Sequence, residues 1–180
     1  MAVTLEEIAG FLTNMDLKHD YQKEKERIIL AAGDADITTT HFIRAKEDGD
    51  IFEWQMQILD ENRDVLSVKD HRHAGKALSH LLYLNYQTKF GTWEYDPSDG
   101  DVRLAIEIPL EDALMTQKQF KRISSLMLGN SSAHVKEILN ILKTGEAPQD
   151  ESKEDLMAQL EAMLAQLKGG SSSESSDDGI

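Results

Sequence analysis

The chain has 180 residues, of which 40% are hydrophobic, no cysteine and a formal net charge of −14. The absence of cysteine excludes disulfides and thiolate metal sites and favours a reducing compartment, while the acidity argues against nucleic acid as a partner. The chain does not begin with a basic, apolar leader, and no apolar run approaches the roughly 20 residues of a membrane span. We therefore expect a soluble, cytoplasmic protein that does not associate with a membrane.

The first part of the chain combines one helix with several strands. Thr4 and Glu7 have the spacing of a capping box, which predicts a helix from Leu5 to about Asn14. After a charged stretch, four runs have the character of strands, at residues 28–32, 41–45, 51–59 and 65–69. The third run alternates apolar and polar residues, which is typical of a strand with one buried face.

A helix and a hairpin are predicted next. The period changes at Ala74, and the residues at core-facing helical spacing are Ala74, Leu78, Leu81, Leu82 and Asn85. His80 lies on the helix opposite part of this stripe, so we expect it to face solvent or an interface. A short aromatic strand then precedes an Asp-Pro-Ser-Asp-Gly-Asp turn, in which Asp99-Gly100 supplies the positive φ of a tight hairpin.

Two further helices are predicted before residue 145. Thr116 and Gln119 form another capping box, and Gly129-Asn130 is expected to end the helix that they begin. The inward residues of this helix are Phe120, Ile123 and Met127. Ser131 or Ser132 caps the last helix, whose apolar stripe consists of Val135, Ile138, Leu139 and Leu142.

Together these patterns predict an α+β fold, in which helices pack on an antiparallel β-sheet, plus a C-terminal amphipathic helix. The expected layout is an α+β domain at 1–145, a linker at 146–151, the amphipathic helix at 152–168 and a disordered, acidic tail rich in serine and glycine at 169–180. From Glu146 onward, nine acidic residues and two lysines give a net charge of −7, which is half of the total.

The amphipathic segment is a candidate partner-binding element. Its apolar residues have the spacing of anchors that a helix places in an apolar groove, and they are Leu156, Leu160, Met163 and Leu167. The same stripe also fits a helix that folds back on its own domain or is exchanged within a homodimer. These alternatives stay open at the level of sequence.

Several motifs together resemble a known family. They are Leu-Leu-Tyr-Leu-Asn at 81–85, Gly-Thr-Trp-Glu-Tyr-Asp-Pro-Ser-Asp-Gly at 91–100, and the strand that closes with Pro-Leu-Glu-Asp at 102–112. Over about residues 4–143 the chain resembles the YbjN-type proteins, bacterial sensory transduction regulators that share the fold of type III secretion chaperones. The resemblance implies a frequently dimeric domain that binds another protein and has no catalytic residues. The C-terminal amphipathic segment departs from the family pattern and indicates an added docking element.

The leading hypothesis is therefore a non-enzymatic chaperone, adaptor or assembly factor, with no cofactor and no metal, which binds a segment of another protein as a homodimer. The alternative is a regulatory module that responds to a ligand or metal, with Asp70, His71 and His73 as candidate ligands. A polar loop is the simpler explanation of these three residues, because no further ligands stand at a convincing spacing. A third hypothesis is an enzyme whose substrate and residues the sequence does not identify.

Other candidate sites have simpler explanations. Asp96, Asp99 and Asp101 fit turn chemistry and not the spacing of a calcium loop, and no catalytic pair of carboxylates is assigned. No motif of hydrolases, nucleotide-binding proteins or zinc proteases occurs. Three aromatic residues could form an exposed surface, but their alternation with polar residues favours the core: Trp54, Trp93 and Tyr95.

Overall fold

The described part of the chain is built from six strands and four α-helices. The computed structural model describes residues 2–33 and 37–148, with the backbone alone at 130 and 131. The strands are β1 (Asp20–Gln22), β2 (Arg27–Gly33), β3 (Thr38–Lys46), β4 (Ile51–Leu59), β5 (Thr92–Tyr95) and β6 (Val102–Pro109). The helices are α1 (Leu5–Asn14), α2 (Ala74–Gln87), α3 (Gln117–Ser125) and α4 (Ser131–Thr144). All of them belong to the first of two units into which the chain divides, Met1–Ala147.

The six strands form one antiparallel sheet in the order β1-β2-β3-β4-β6-β5. Within it, Trp54 on β4 lies opposite Ile43 on β3 and opposite Ile106 on β6. Because side chains alternate along a strand, these three residues point to the same face of the sheet. The helices pack on this face, so the predicted α+β fold is confirmed.

The core lies between this face and the helices. Alternate residues of β4 are fully buried, namely Phe52, Trp54, Met56 and Ile58. Phe120 of α3 stacks on Trp54 with a centroid distance of 5.7 Å, and Phe11 of α1 lies 5.4 Å from Phe120. Burial of a large apolar side chain contributes roughly 1.5–3 kcal/mol, so this aromatic cluster is a principal source of stability. The aromatic residues Trp54 and Trp93 are buried, as predicted.

Both predicted capping boxes are confirmed. Helix α1 has the predicted bounds, and the Thr4 hydroxyl accepts a hydrogen bond from the Glu7 amide at 3.1 Å while the Glu7 carboxylate accepts one from the Thr4 amide at 2.8 Å. Thr116 and Gln119 make the same reciprocal pair at the start of α3, at 3.2 and 2.8 Å. Each box satisfies backbone donors that a helix start leaves without partners.

The fourth predicted strand, at 65–69, is wrong. This segment makes only isolated bridges, from Val65 to Leu59 and from Ser67 to Asp101. The segment contacts the β5–β6 turn instead, because the Val68 amide donates a hydrogen bond to the Gly100 carbonyl at 2.9 Å. Gly100 has a φ of 85°, and a Cβ at this position would lie 2.7 Å from the Lys69 amide nitrogen. The predicted turn glycine is thus required by both conformation and space.

Helix α2 is rotated relative to the prediction. Its buried residues are Ala77, His80, Leu81 and Leu84. Leu82, which was expected to face the core, is 71% exposed, and His80, which was expected to face solvent or an interface, is buried. His80 Nε2 lies 2.8 Å from a carboxylate oxygen of Glu137 on α4. A buried imidazole requires a polar partner, and α4 provides one on the inner side of the helix.

The predicted helix end at Gly129-Asn130 is also wrong. The backbone continues from α3 through a single π-helical segment, Leu126–Asn130, into α4. Gly129 does not have a positive φ, whereas Gly145 does, with a φ of 78°, and its amide donates to the Ile141 carbonyl at 2.7 Å. Gly145 is therefore the residue that ends this helical region, as glycines after a helix commonly do. The predicted inward residues Phe120, Ile123, Met127, Val135, Ile138 and Leu142 are buried.

Candidate protein-binding site

Large apolar side chains lie on the outer side of α2. Leu82 is 71% exposed, Tyr83 42% and Tyr86 86%, and we call these three residues the α2 surface. They are neighbours on the helix, because residues three or four apart share a side. Isolated exposed apolar residues are ordinary, whereas a cluster of this kind is typical of a contact surface.

A groove lies between α3 and the segments that follow α2 and β6, and we call it the α3 groove. Its apolar part has a volume of about 260 Å³ and is lined by Phe90, Ile108, Leu110, Met115, Gln119, Arg122, Ile123 and Leu126. Leu110, Met115 and Ile123 are buried and belong to the core, whereas Phe90 is 57% exposed. The groove thus has an apolar floor and an aromatic edge that faces solvent.

The outer part of the same groove is positively charged. It has a volume of about 1070 Å³, shares Phe90, Gln119, Arg122 and Leu126 with the apolar part, and has four exposed cations in its lining. These cations are Lys89, Lys118, Lys121 and Arg122. Within 2–33 and 37–148, no carboxylate lines the groove and none of the four cations is in an ion pair. This local positive charge contrasts with the net charge of −14.

The sequence of α3 explains why apolar and basic surfaces meet here. Phe120 and Ile123 are buried against the core. Lys118, Lys121 and Arg122 are at helical spacing on the outer side and are exposed. The cations therefore border the apolar floor along one side of the groove.

The apolar part is slightly smaller than the roughly 300–1,000 Å³ that is typical of small-molecule sites. It is open to solvent through the larger basic part, with which it shares Phe90. This shape suits the anchoring side chain of a polypeptide whose neighbouring residues lie along the basic part. The arrangement can bind and orient a segment.

A second polar cluster lies on the other face of the sheet, where Glu53 is buried. Its carboxylate is 2.8 Å from Arg44 Nη1 and 2.5 Å from Lys46 Nζ, and Lys46 also contacts Glu107 at 3.0 Å. Burial raises the pKa of Glu53, but the hydrogen bonds and charges of Lys46 and Arg44 outweigh it, so the pKa lies below its ordinary value. Because Arg44 and Lys46 compensate the negative charge of the buried Glu53 carboxylate, we interpret this cluster as a structural feature of the sheet.

A third cluster, around His41, is sealed within the core. Trp54 Nε1 donates to His41 Nδ1 at 3.1 Å, and since the indole can only donate, His41 is neutral with its proton on Nε2. Nε2 then donates to the Thr39 hydroxyl at 3.0 Å, which donates to the Ala32 carbonyl at 3.0 Å. Burial lowers the pKa of His41 to about 4. Every polar atom in this chain of hydrogen bonds has a structural partner.

The structure brings together few of the residues that the sequence singled out. The rings of His71 and His73 are 5.9 Å apart, but in the described ranges no three His, Asp or Glu side chains could hold a metal ion together. The carboxylate of Asp96 accepts hydrogen bonds from the amide and hydroxyl of Ser98, which hold its pKa below the ordinary value, as in a turn. The predicted partner-binding residues lie outside the described residues: Leu156, Leu160, Met163 and Leu167.

Sequence reasoning missed the α2 surface and the α3 groove. The available signal was the run Leu-Leu-Tyr-Leu-Asn-Tyr, which places apolar residues all around α2, so some of them had to face outward. The four groove cations are too far apart in sequence to form a recognisable motif, because Lys89 is contributed by a different segment from the other three.

No protein family model matches this chain, and no curated protein matches it. None of the helices in the described part of the chain is long and apolar enough to cross a membrane.

Proposed function

We propose that this chain is a non-enzymatic module that binds a segment of another protein and acts as a chaperone, adaptor or assembly factor. The observation that carries the proposal is the exposed α2 surface, in which Leu82 and Tyr86 are 71% and 86% exposed. Exposure of such side chains is unfavourable in water unless a partner covers them. The α3 groove offers a further apolar contact at Phe90.

The proposal includes membership of the YbjN-type proteins and the fold of type III secretion chaperones. What supports it is the set of motifs that the resemblance rests on, together with the α+β architecture of an antiparallel sheet covered by helices. The motif at 81–85 contributes Leu82 and Tyr83 to the α2 surface. We further propose a homodimer in the cytoplasm, with a second contact to the partner from Leu156, Leu160, Met163 and Leu167.

Site-specific photo-crosslinking in living cells tests this function. Benzoylphenylalanine is introduced in place of Tyr86, on the α2 surface, and in a second variant in place of Asn62, which is exposed in the β4–α2 connection. Irradiation should give a discrete heavier species from position 86 and none from position 62, and mass spectrometry identifies the attached chain.

A species of twice the mass that contains only this chain would place the homodimer contact at the α2 surface. A second polypeptide would identify the partner. The absence of any discrete species from position 86, or the same yield from position 62, would contradict the proposal that the α2 surface binds protein.

A further inference from the structure

We infer that the α3 groove binds an acidic segment of a partner protein, with one apolar side chain of the segment against Phe90 and its carboxylates beside the groove cations. This inference rests on the proposed function and adds the chemical class of the partner segment. It concerns the α3 groove and not the α2 surface, so the two sites can be tested separately.

The apolar part of the groove combines buried residues on its floor with one exposed residue at its edge. Leu110, Met115 and Ile123 are fixed in the core, while Phe90 remains 57% exposed at the edge. An apolar side chain placed against this floor would cover much of Phe90 without moving the core. The gain is the removal of apolar surface from water, which does not depend on the direction of the segment.

The electrostatic contact selects carboxylates. Lys118 is three residues from Lys121 and four from Arg122, so like charges repel along one side of α3. Lys89 adds a fourth cation from the opposite side of the groove. Because no carboxylate of the described residues lines the groove, an acidic segment would relieve this repulsion and complement all four charges.

The charge of the whole protein argues for a short acidic peptide in place of a nucleic acid. The chain has a net charge of −14, so an extended polyanion is repelled wherever it reaches beyond the groove. A peptide segment can confine its carboxylates to the few residues that contact the cations. The partner class is therefore a polypeptide with an apolar anchor and flanking Asp or Glu.

Fluorescence anisotropy with the full chain tests the inference. The probe is a labelled peptide with leucine at helical spacing and glutamate at the other positions, and its counterpart has lysine in place of glutamate. The acidic peptide should bind at least about tenfold more tightly than its counterpart, and its affinity should fall as salt rises from about 50 to about 300 mM, because screening weakens surface charges. Equal binding of both peptides would overturn the inference.

Matched variants locate the site. K118E combined with R122E should weaken binding of the acidic peptide at least about tenfold, whereas K143E, which makes the same type of charge change on α4 outside the groove, should not. Phe90→Ala should also weaken binding, whereas Val65→Ala, which truncates an exposed apolar residue outside the groove and the α2 surface, should not. Unchanged melting temperatures would show that each variant is folded. Loss of binding in the controls, or its retention in the groove variants, would overturn the inference.

Two further outcomes separate competing explanations. If position 86 gives crosslinks while the acidic peptide does not bind, the proposed function stands and this inference fails. An oligonucleotide that displaces the peptide at comparable concentration would reassign the groove to nucleic acid.

A shorter chain tests whether the acidic C-terminal residues occupy the groove. All described core residues lie between Ala2 and Leu142, so a chain ending at Pro148 retains that core. Binding by this shorter chain but not by the full chain would identify the acidic C-terminal residues as the occupant, and would overturn assignment to a partner.

Discussion

The two faces of the sheet differ in the charge of the polar groups that they bury. On the helix-covered face, His41 is fully buried, neutral and bonded to Trp54 and Thr39. On the other face, Glu53 is 1% exposed but charged, and it contacts Arg44 and Lys46. The same two strands, β3 and β4, supply both clusters through the alternation of their side chains.

The difference shows what each face is able to stabilise. A charge on the covered face would have no counter-ion and no water, so burial keeps the imidazole neutral. On the open face, long cationic side chains lie over the carboxylate while their ends reach solvent, so a charged group can remain buried. The covered face therefore stabilises the fold through packing, and the open face through screened charge.

Truncation in the core of the covered face should have the largest effect. Phe120 is fully buried and stacks on Trp54, so Phe120→Ala removes an aromatic ring and leaves a cavity. We expect the free energy of unfolding to fall by about 3–5 kcal/mol, measured by urea denaturation monitored by circular dichroism. Phe90→Ala is the matched control, because Phe90 is 57% exposed, and it should change stability by less than about 0.5 kcal/mol. Similar losses in both variants would show that the described core is incorrect.

Acid should weaken the covered face through His41. The unfolded chain protonates this residue near its ordinary pKa of 6.5, whereas the folded chain does so at about 4. Between these values the unfolded state binds more protons, so the stabilising contribution is complete above pH 6.5 and is lost as pH falls to about 4. At about 1.4 kcal/mol per pH unit, the loss is about 3 kcal/mol.

Urea titrations at several pH values measure how the free energy of unfolding depends on pH. His41→Gln is the comparison, because glutamine does not titrate. Burial also lowers the pKa of His134, which acts in the same direction and remains in both proteins. The variant should therefore retain only a shallower dependence on pH between 4.5 and 6.5, above the ordinary pKa of glutamate. Parallel slopes in the two proteins would exclude His41 as the source.

The two faces were not equally predictable from sequence. The alternation of β4 and the capping boxes at Thr4 and Thr116 identify local structure, and the structure confirms them because local geometry decides them. The short strand β1 was missed because Asp20–Gln22 lies in a charged stretch without apolar alternation. Its formation depends on pairing with β2, which local patterns do not encode.

The candidate site was the least predictable part. The orientation of α2 brings His80 within hydrogen-bond distance of Glu137, which is far from it in sequence. The groove brings Lys89 and Phe90 next to α3, and this proximity arises only from the way the helices pack on the sheet. Tertiary contacts of this kind override helical periodicity, so Leu82 was assigned to the wrong side of α2.

On the open face, removal of the buried charge should have a smaller effect than either change on the covered face. Glu53→Gln keeps the shape of the side chain but removes the buried carboxylate from Arg44 and Lys46, which are 31% and 42% exposed. Lys46 keeps its contact with Glu107. Because solvent already screens both cations, we expect a loss of about 1 kcal/mol near neutral pH. The loss should shrink below pH 4.5, where the lowered pKa of Glu53 ceases to favour the folded state. Urea titrations at neutral and acidic pH check this, with Glu94→Gln as the same charge change at an exposed carboxylate on the same face. A loss of about 3 kcal/mol or more from Glu53→Gln would place the cluster with the covered face.

The smallest effect is expected for an exposed ion pair on the same open face. Arg103 Nε lies 2.8 Å from the Glu94 carboxylate, and the two side chains are 38% and 41% exposed. A double-mutant cycle with Arg103→Ala and Glu94→Ala should give a coupling energy below about 0.5 kcal/mol, because solvent and salt screen both charges. This coupling should disappear in about 0.5 M sodium chloride, where the screening length is only a few ångströms. A coupling above about 1 kcal/mol that persists in salt would mean that the open face is shielded from water, and the contrast between the two faces would then fail.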